Sequence, residues 1–175
     1  AHSAHFSFSE KLPPSAMAAG ADLSAESTHK MLGSLTQTSM LLARGGRVPP
    51  ARIRAASGVL QTTSPNEIFL AALDLAREQM EEEGAERLDA LIRRADDLRR
   101  RINDIPGLWA FGAEYMGAPG MAALDPTKIT VQVMGLGMTG FAAEEELRRQ
   151  GIACELADAR NVLFLLSYAD GAQET

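Results

Sequence analysis

The chain has 175 residues, 46% of them hydrophobic and 23% charged, with a formal net charge of -6 at pH 7. We expect no nucleic-acid partner, because phosphate binding requires clustered cations and the arginine runs here are interleaved with acidic residues. No apolar run approaches the roughly 20 residues that cross a bilayer, so we expect no membrane partner either, and the single Cys154 fits a reducing cytoplasm.

The chain begins with a segment predicted to be the end of a strand followed by a loop, over residues 1 to 14. Pro13 and Pro14 support the loop, because they remove two backbone donors and fix two φ angles. Ser15 is expected to cap a short turn. Because the first residue is Ala1 and no charged and apolar leader precedes the first strand, we interpret the chain as an internal, non-secreted fragment of a longer protein.

The next feature is Lys30, which we place in a loop between two strands, at residues 23 to 26 and 38 to 42. It stands out because the chain has only three lysines beside fourteen arginines. Lysine can lose its proton at neutral pH when it is desolvated and can then form a Schiff base, which arginine effectively cannot do. On composition alone a solvated loop lysine is the simpler interpretation, so the surrounding residues have to decide.

Two helices are predicted before residue 106. The first runs from residue 51 to residue 60. The second is expected to start at Pro65, because Ser64 and Glu67 form a capping box around a proline at the first helical position. Apolar residues then recur at helical spacing as far as Ile105.

The second of these helices carries a predicted interruption. Glu81, Glu82 and Glu83 next to Gly84 indicate a bend, so we expect two helical segments. The same apolar periodicity also permits a coiled-coil assembly, which is the less favoured interpretation.

The last third of the chain is predicted to form a small lobe behind a linker. Residues 106 to 127 are rich in glycine, alanine and proline, which is typical of a hinge. From Lys128 an alternation of β-branched residues predicts a strand. A helix and two strands are then expected, at residues 142–150, 152–156 and 162–167. We therefore predict a domain at 1–105, a linker at 106–127 and an incomplete α+β lobe at 128–175.

A glycine-rich turn in this lobe permits another interpretation. Residues Gly135 to Gly140 match G-x-G-x-x-G, follow a predicted strand, open a helix and precede Asp158 at the end of the next strand. That is the context of a module that binds NAD or FAD. Few residues follow Asp158 and the preceding region is helical, so the further strands of such a fold are missing and we keep this function as a minor alternative.

Three blocks of sequence, taken in order, carry a family resemblance. The first is the segment from Ala1 to Val48, which contains STHKMLGSLTQTSMLL at 27–42. The others are LQTTSPNEIFLAALDLAR at 60–77 and DPTKITVQVMGLGMTGFAAEEELRRQGIACELADARNVLFLLS at 125–167. The chain resembles the ornithine/lysine/arginine decarboxylases, which are pyridoxal-phosphate (PLP) enzymes of fold type I. The resemblance implies an α/β fold: part of the PLP-dependent transferase-like large domain, followed by the small α+β lobe. It also implies that part of the cofactor site lies outside this chain.

The resemblance assigns a function to four residues of two motifs. In Ser-x-His-Lys, Lys30 is implied to be the Schiff-base lysine and Ser27 to contact the cofactor phosphate. His29 is implied to be a phosphate or proton-relay partner. Thr62 is implied to contact the phosphate of the neighbouring subunit, so the resemblance predicts a homodimer or higher homo-oligomer with a shared active site. For Ser27 and Thr62, an ordinary local turn or cap is the alternative.

The resemblance also extends to the first residues of the chain. Ala1 and His2 look like the end of the family's Asp-Glu-Ala-His element, whose aspartate pairs with the pyridine nitrogen and whose alanine lies against the ring. That aspartate would fall just before the chain. The parts played by His5, Glu155 and Asp158 stay open, either as groups near the substrate or as ordinary buried or solvated side chains.

The implied activity is decarboxylation of a basic amino acid, namely arginine, lysine or ornithine, to its amine in polyamine biosynthesis. PLP is the implied cofactor, and we expect no metal site. An alternative within the same family is a catalytically incompetent fragment that serves only folding or dimerisation, because the missing part of the chain supplies the remaining ligands.

Overall fold

The computed structural model describes residues 3–171, and the chain divides into two units, Ala1–Ala85 and Glu86–Thr175. A single long helix crosses the boundary between them. Within the described residues, no helix has both the length and the apolar composition that a membrane crossing demands.

The described part of the first unit contains a two-stranded sheet, a 3-10 helix and two α-helices, besides the start of the long helix. Its elements are a 3-10 helix at Ala4–Phe8, strand β1 at Leu23–Glu26, the one-turn helix α1 at Thr28–Met31, strand β2 at Met40–Ala43, helix α2 at Pro50–Leu60 and the first part of helix α3, which spans Glu67–Asn103. β1 and β2 pair antiparallel, with Leu23 opposite Ala43 and Glu26 opposite Met40. The core of this unit is built from Leu12, Met31, Leu32, Ala76 and Met80.

The prediction of a strand at the start of the chain is wrong for the described part of that segment. Residues Ala4–Phe8 form a 3-10 helix, in which the Phe6 amide donates to the Ser3 carbonyl at 3.0 Å. His5 is fully buried and packs edge-on against Phe6, with 4.8 Å between ring centroids. The tight turn allows this imidazole to enter the interior of the unit, whereas an extended strand would place alternate side chains on opposite faces.

Helix α3 begins two residues later than predicted, and its cap is a different residue. The Asn66 side chain accepts hydrogen bonds from the amides of Ile68 at 3.0 Å and Phe69 at 3.4 Å, so it satisfies two amides of the first turn. The Ser64 amide instead donates to the Thr62 hydroxyl at 3.1 Å. The capping box around Pro65 was therefore a wrong prediction, because asparagine caps a helix as well as serine does.

Helix α3 is also unbroken at Gly84, against the prediction of two segments. A β-carbon on Gly84 would lie 2.8 Å from the Met80 methyl and 3.5 Å from the Phe8 β-carbon. The glycine therefore provides room for these side chains without ending the helix. An isolated helical glycine costs only about 1 kcal/mol relative to alanine, and tertiary packing overrides such a cost.

The second unit is an antiparallel sheet with one helix packed on it, together with the last part of α3. Its elements are strand β3 at Trp109–Ala110, strand β4 at Lys128–Gln132, helix α4 at Gly140–Arg149, strand β5 at Leu156–Ala157 and strand β6 at Asn161–Leu165. The strand order is β3-β4-β6-β5, and each neighbouring pair is antiparallel. The predicted mixture of strands and a helix is confirmed, but β3 was missed and β5 lies later than residues 152–156.

The segment predicted as a hinge is hydrogen-bonded to α3 within this unit. The Arg99 guanidinium donates to the carbonyls of Phe111 and Pro126, each at 3.0 Å. The Asn103 side chain exchanges two hydrogen bonds with the Ala110 backbone, at 2.7 and 3.0 Å. The segment also joins the sheet, because β3 pairs antiparallel with β4, although two residues give β3 almost no pattern of its own. The predicted domain boundaries stay a prediction.

The strand order contradicts the dinucleotide-binding interpretation of the glycine-rich turn. The strand after α4, β5, is separated from β4 by the antiparallel β6, whereas the dinucleotide-binding unit needs adjacent parallel strands. A β-carbon on Gly140 would lie 2.2 Å from the Asn161 carbonyl oxygen and 2.3 Å from that of Asp158. The absence of a side chain at Gly140 thus lets the start of α4 pack against the β5–β6 turn. This close packing accounts for the glycine without a bound ligand.

Candidate functional site

The candidate site is built on β1 and on α1, which follows it after a single residue. Along β1 the buried residues alternate with exposed ones, and Ser24 and Glu26 are the buried pair. Thr28 begins α1 and is 1% exposed, and Met31 at its end is 2% exposed. A polar strand face and two buried anchor residues therefore hold the helix turn that carries the Ser-x-His-Lys motif.

Within this turn, the three motif residues lie close together along one short element. Ser27 precedes the first helical residue and is half-buried, and its carbonyl accepts from the Lys30 amide at 3.1 Å. Lys30 is exposed and lies on α1, so the prediction that it sits in a loop is corrected to a one-turn helix. The structure thus brings Ser27, His29 and Lys30 together on one turn.

The His29 ring is anchored from the segment that leads back to β2. Its Nδ1 lies 2.7 Å from the Thr38 carbonyl oxygen. Because a carbonyl only accepts, Nδ1 carries the proton, and in the neutral ring Nε2 is then the acceptor. Thr38 is buried, and its hydroxyl donates to the Leu35 carbonyl at 2.6 Å and lies 2.7 Å from the Ser34 hydroxyl. The anchor of the imidazole is therefore itself fixed.

Glu26 is a site residue that the sequence analysis missed. Its carboxyl group accepts hydrogen bonds from the Ser3 hydroxyl at 3.1 Å and from the Ser24 hydroxyl. Only 6% of the residue is exposed. A possible signal was its place on β1 two residues after Ser24, since positions i and i+2 of a strand share a face. Leu23 and Ala25 on the opposite face of β1 indicated the wrong buried face, because apolar residues usually form the buried face of a strand.

Thr62 lies on a different element, the connection between α2 and α3. It is exposed, and its hydroxyl oxygen accepts from the Ser64 amide in a local turn that lies before the Asn66 cap of α3. Ala1 and His2 lie outside the described residues. His5, which the sequence left open, is fully buried in the first unit.

The two acidic residues left open in the second unit are both exposed. Asp158 closes the β5–β6 turn: its Oδ1 accepts from the amides of Arg160 and Asn161 at 2.7 and 2.8 Å. The hydrogen bond from the Asn161 side chain, followed by these amides, lowers the pKa of the Asp158 carboxyl below its usual value. The backbone amide of Glu155 donates to the Leu163 carbonyl at 2.9 Å. Asp158 thus has a structural explanation as a turn residue.

Comparison with known families and relatives places these features in context. A family model described as "Orn/Lys/Arg decarboxylase, major domain" matches residues 1–115. Among curated relatives, the arginine decarboxylase of Bacillus anthracis is 43% identical across 100% of this chain and 36% of its own length. The arginine decarboxylase of Bacillus subtilis is 39% identical across 99% of this chain and 36% of its own length. The chain thus spans little more than a third of these relatives.

Solved structures show the same fold. A lysine decarboxylase of Francisella novicida matches with a TM-score of 0.73 at 22% identity, covering 87% of this chain and 26% of that one. Lysine decarboxylase A of Pseudomonas aeruginosa matches with a TM-score of 0.77 at 22% identity, covering 96% of this chain and 29% of that one. These matches confirm the predicted fold class, part of the larger domain of a decarboxylase fold.

Proposed function

Because this chain belongs to the Orn/Lys/Arg decarboxylase family, we propose that its parent protein removes the α-carboxyl group of a basic amino acid and releases the corresponding amine. The observation that carries the proposal is the identity of 43% to an arginine decarboxylase over the whole of this chain. Arginine is therefore the substrate to test first, with lysine and ornithine beside it.

Pyridoxal phosphate is the proposed cofactor, and the donor set on α1 fits it chemically. The amine of Lys30 can form a Schiff base with the cofactor aldehyde, and the hydroxyl of Ser27 can donate to the cofactor phosphate. The imidazole of His29 can transfer a proton or contact the phosphate. Lys30 would hold the cofactor covalently, and Ser27 would donate to its phosphate. When bound, the cofactor supplies the electron sink for the electrons released as the carboxyl group leaves.

The bond between His29 and the Thr38 carbonyl determines how the imidazole acts. With Nδ1 engaged, a neutral His29 offers a lone pair at Nε2, and a protonated ring offers a second N–H there. His29 can therefore take up or give a proton at Nε2 while its ring orientation stays constant. This property suits a proton relay and, in the charged form, a phosphate contact.

A homodimer with a shared site is the proposed assembly, with Thr62 acting on the neighbouring subunit. In the local turn the Thr62 oxygen accepts from the Ser64 amide, so its own hydroxyl proton can be donated to a phosphate oxygen. Ala1 and His2 are proposed cofactor-site residues, and Ala1 would lie against the cofactor ring, as the family resemblance implies. A cytoplasmic location stays a prediction from the single cysteine.

A second candidate function is a fragment that folds but does not hold the cofactor by itself. It is favoured by the length of the chain, which covers 36% of the curated relatives. In that case the remaining ligands come from other parts of the parent protein, and this chain contributes Lys30 and the sheet around it.

The test is covalent trapping at Lys30. The chain and its full-length parent are each incubated with pyridoxal phosphate, reduced with borohydride, digested and mapped by mass spectrometry. Lys30→Arg is the matched variant, since it keeps the positive charge but cannot form a Schiff base. We expect a pyridoxyl group on Lys30 of the parent and little on the control lysines, Lys11 and Lys128.

Amine release from arginine, lysine and ornithine is then measured on the parent and on its Lys30→Arg variant. We expect release from one of the three by the parent and none by the variant. Labelling of the parent but not of the isolated chain would support the second candidate. Equal labelling of all three lysines in the parent, with no amine released, would refute the decarboxylase proposal.

A further inference from the structure

Glu26 is a carboxylic acid placed in the interior, four residues before the proposed cofactor lysine in the sequence. Burial of a carboxyl group is costly unless hydrogen bonds compensate for the lost water. Here the compensation comes from two hydroxyl groups, those of Ser3 and Ser24, and both donate to it. A hydrophobic residue at this position would have avoided the cost altogether, so the stability of the unit does not require an acid here.

The two hydroxyl groups come from different parts of the chain. Ser24 lies on β1 itself, so its bond is local to the strand. Ser3 lies 23 residues before Glu26, at the start of the 3-10 helix Ala4–Phe8. The carboxyl group therefore ties the beginning of the described chain to the end of β1.

The position of Glu26 transmits this tie to α1. Only Ser27 separates Glu26 from Thr28, the first helical residue. The backbone carbonyl oxygen of Glu26 lies 3.5 Å from the buried Thr28 hydroxyl. Lys30 lies two residues further along the same turn. A shift of the β1 end would therefore move the origin of the Lys30 side chain.

We propose that Glu26 is a positioning residue, which fixes the Lys30 amine relative to the N-terminal segment through its bond to Ser3. The inference rests on the proposed function, since it assigns Lys30 a reaction that requires placement. Reacting groups gain rate from fixed geometry, and displacements of about 1 Å can reduce a rate about 100-fold.

Four variants of the parent protein separate this function from general stability. Glu26→Gln keeps both hydrogen bonds, because a serine hydroxyl can accept from the amide as well as donate to it. Glu26→Met has a similar length and keeps neither bond. Ser3→Ala removes only the long-range bond. Glu10→Met is the matched control, since Glu10 is an exposed glutamate of the same unit.

The readouts are the dissociation constant for pyridoxal phosphate, the absorbance band of the bound cofactor, the rate of borohydride-trapped labelling at Lys30, and the melting temperature. We expect Glu26→Met, which loses both bonds, to weaken cofactor binding and slow labelling by about tenfold or more. Ser3→Ala should do so by about threefold to tenfold, as expected for the loss of one ordinary hydrogen bond. Glu26→Gln and Glu10→Met should match the wild type, and Glu26→Gln should keep its absorbance band.

The inference is overturned if Ser3→Ala binds and labels like the wild type, or if Glu26→Gln is as impaired as Glu26→Met. Should Glu26→Met fail to fold, Ser3→Ala alone decides, because its binding and labelling either fall or match those of the wild type. Failure of the proposed function looks different: the wild-type parent itself is then not labelled at Lys30, and the inference falls with it.

Discussion

Arg99 offers the sharpest test of how the second unit is held together. Its side chain is only 9% exposed, and it spans two backbone carbonyls on the segment between α3 and β4. The informative change is Arg99→Met, which removes the guanidinium but keeps most of the apolar stem. Arg100→Met is its control, because Arg100 is the next residue, its side chain is 75% exposed, and it pairs with Asp97 at the surface.

The expected loss follows from the bonds that disappear. A hydrogen bond from a charged donor contributes about 1.5 kcal/mol or more, so losing the Phe111 and Pro126 bonds costs about 3 kcal/mol. The Asp96 pair adds little, because that carboxylate is 59% exposed and exposed ion pairs contribute about 0–1 kcal/mol. Arg99→Lys should recover less than half of the loss, because one ammonium cannot reproduce the planar fork of a guanidinium.

The assays are thermal unfolding by circular dichroism and amide hydrogen exchange of residues 110–127. At roughly 2–4 °C per kcal/mol, Arg99→Met should lower the melting temperature by roughly 6–12 °C, whereas Arg100→Met should change it by no more than about 2 °C. Exchange in residues 110–127 should accelerate in Arg99→Met alone. Equal effects of the two substitutions would refute the view that Arg99 clamps this segment to α3.

Two further predictions concern the second unit. Gly140→Ala should destabilise it by about 2 kcal/mol or more in urea unfolding, because the new β-carbon would lie 2.2 and 2.3 Å from the Asn161 and Asp158 carbonyl oxygens. The control is Gly58→Ala in α2, which should be neutral or stabilising because a β-carbon there would have no neighbouring atom within 4 Å. Asp158 has a lowered pKa, so its contribution is full above its ordinary value of 3.8 and is lost as the pH falls through the folded-state pKa. The melting temperatures of wild type and Asp158→Ala should therefore differ at about pH 6 and converge as the pH falls below 3.8; a constant difference would contradict this.

Local sequence patterns predicted several elements well, because neighbouring residues determine them. The alternation of Ile129, Val131 and Val133 predicted β4, and all three are nearly fully buried. The prediction for the helix after the glycine-rich turn was close to α4, whose Thr139 side chain accepts from the Ala142 amide.

Elsewhere the local sequence permitted two structures equally well, and contacts in the folded chain determined which one formed. Ser64 and Asn66 are both suitable helix caps, and Asn66 takes the amides of the first turn. Gly84 and its acidic neighbours suggested a break, yet the helix continues through them. A strand as short as Trp109–Ala110 has almost no periodicity, so only its pairing with β4 and the two hydrogen bonds between Ala110 and the Asn103 side chain reveal it.

The sequence by itself determined the family and the motif that carries Lys30, because three ordered blocks of residues identify a relationship without any knowledge of contacts. Tertiary structure alone decided which polar groups are buried around that motif. Glu26 enters the interior because Ser3, which is distant in the chain, lies against it, and the His29 ring is oriented by the Thr38 carbonyl from the segment leading to β2. Hydrogen bonds between distant residues depend on how the chain folds back on itself, and no local pattern of residues records them.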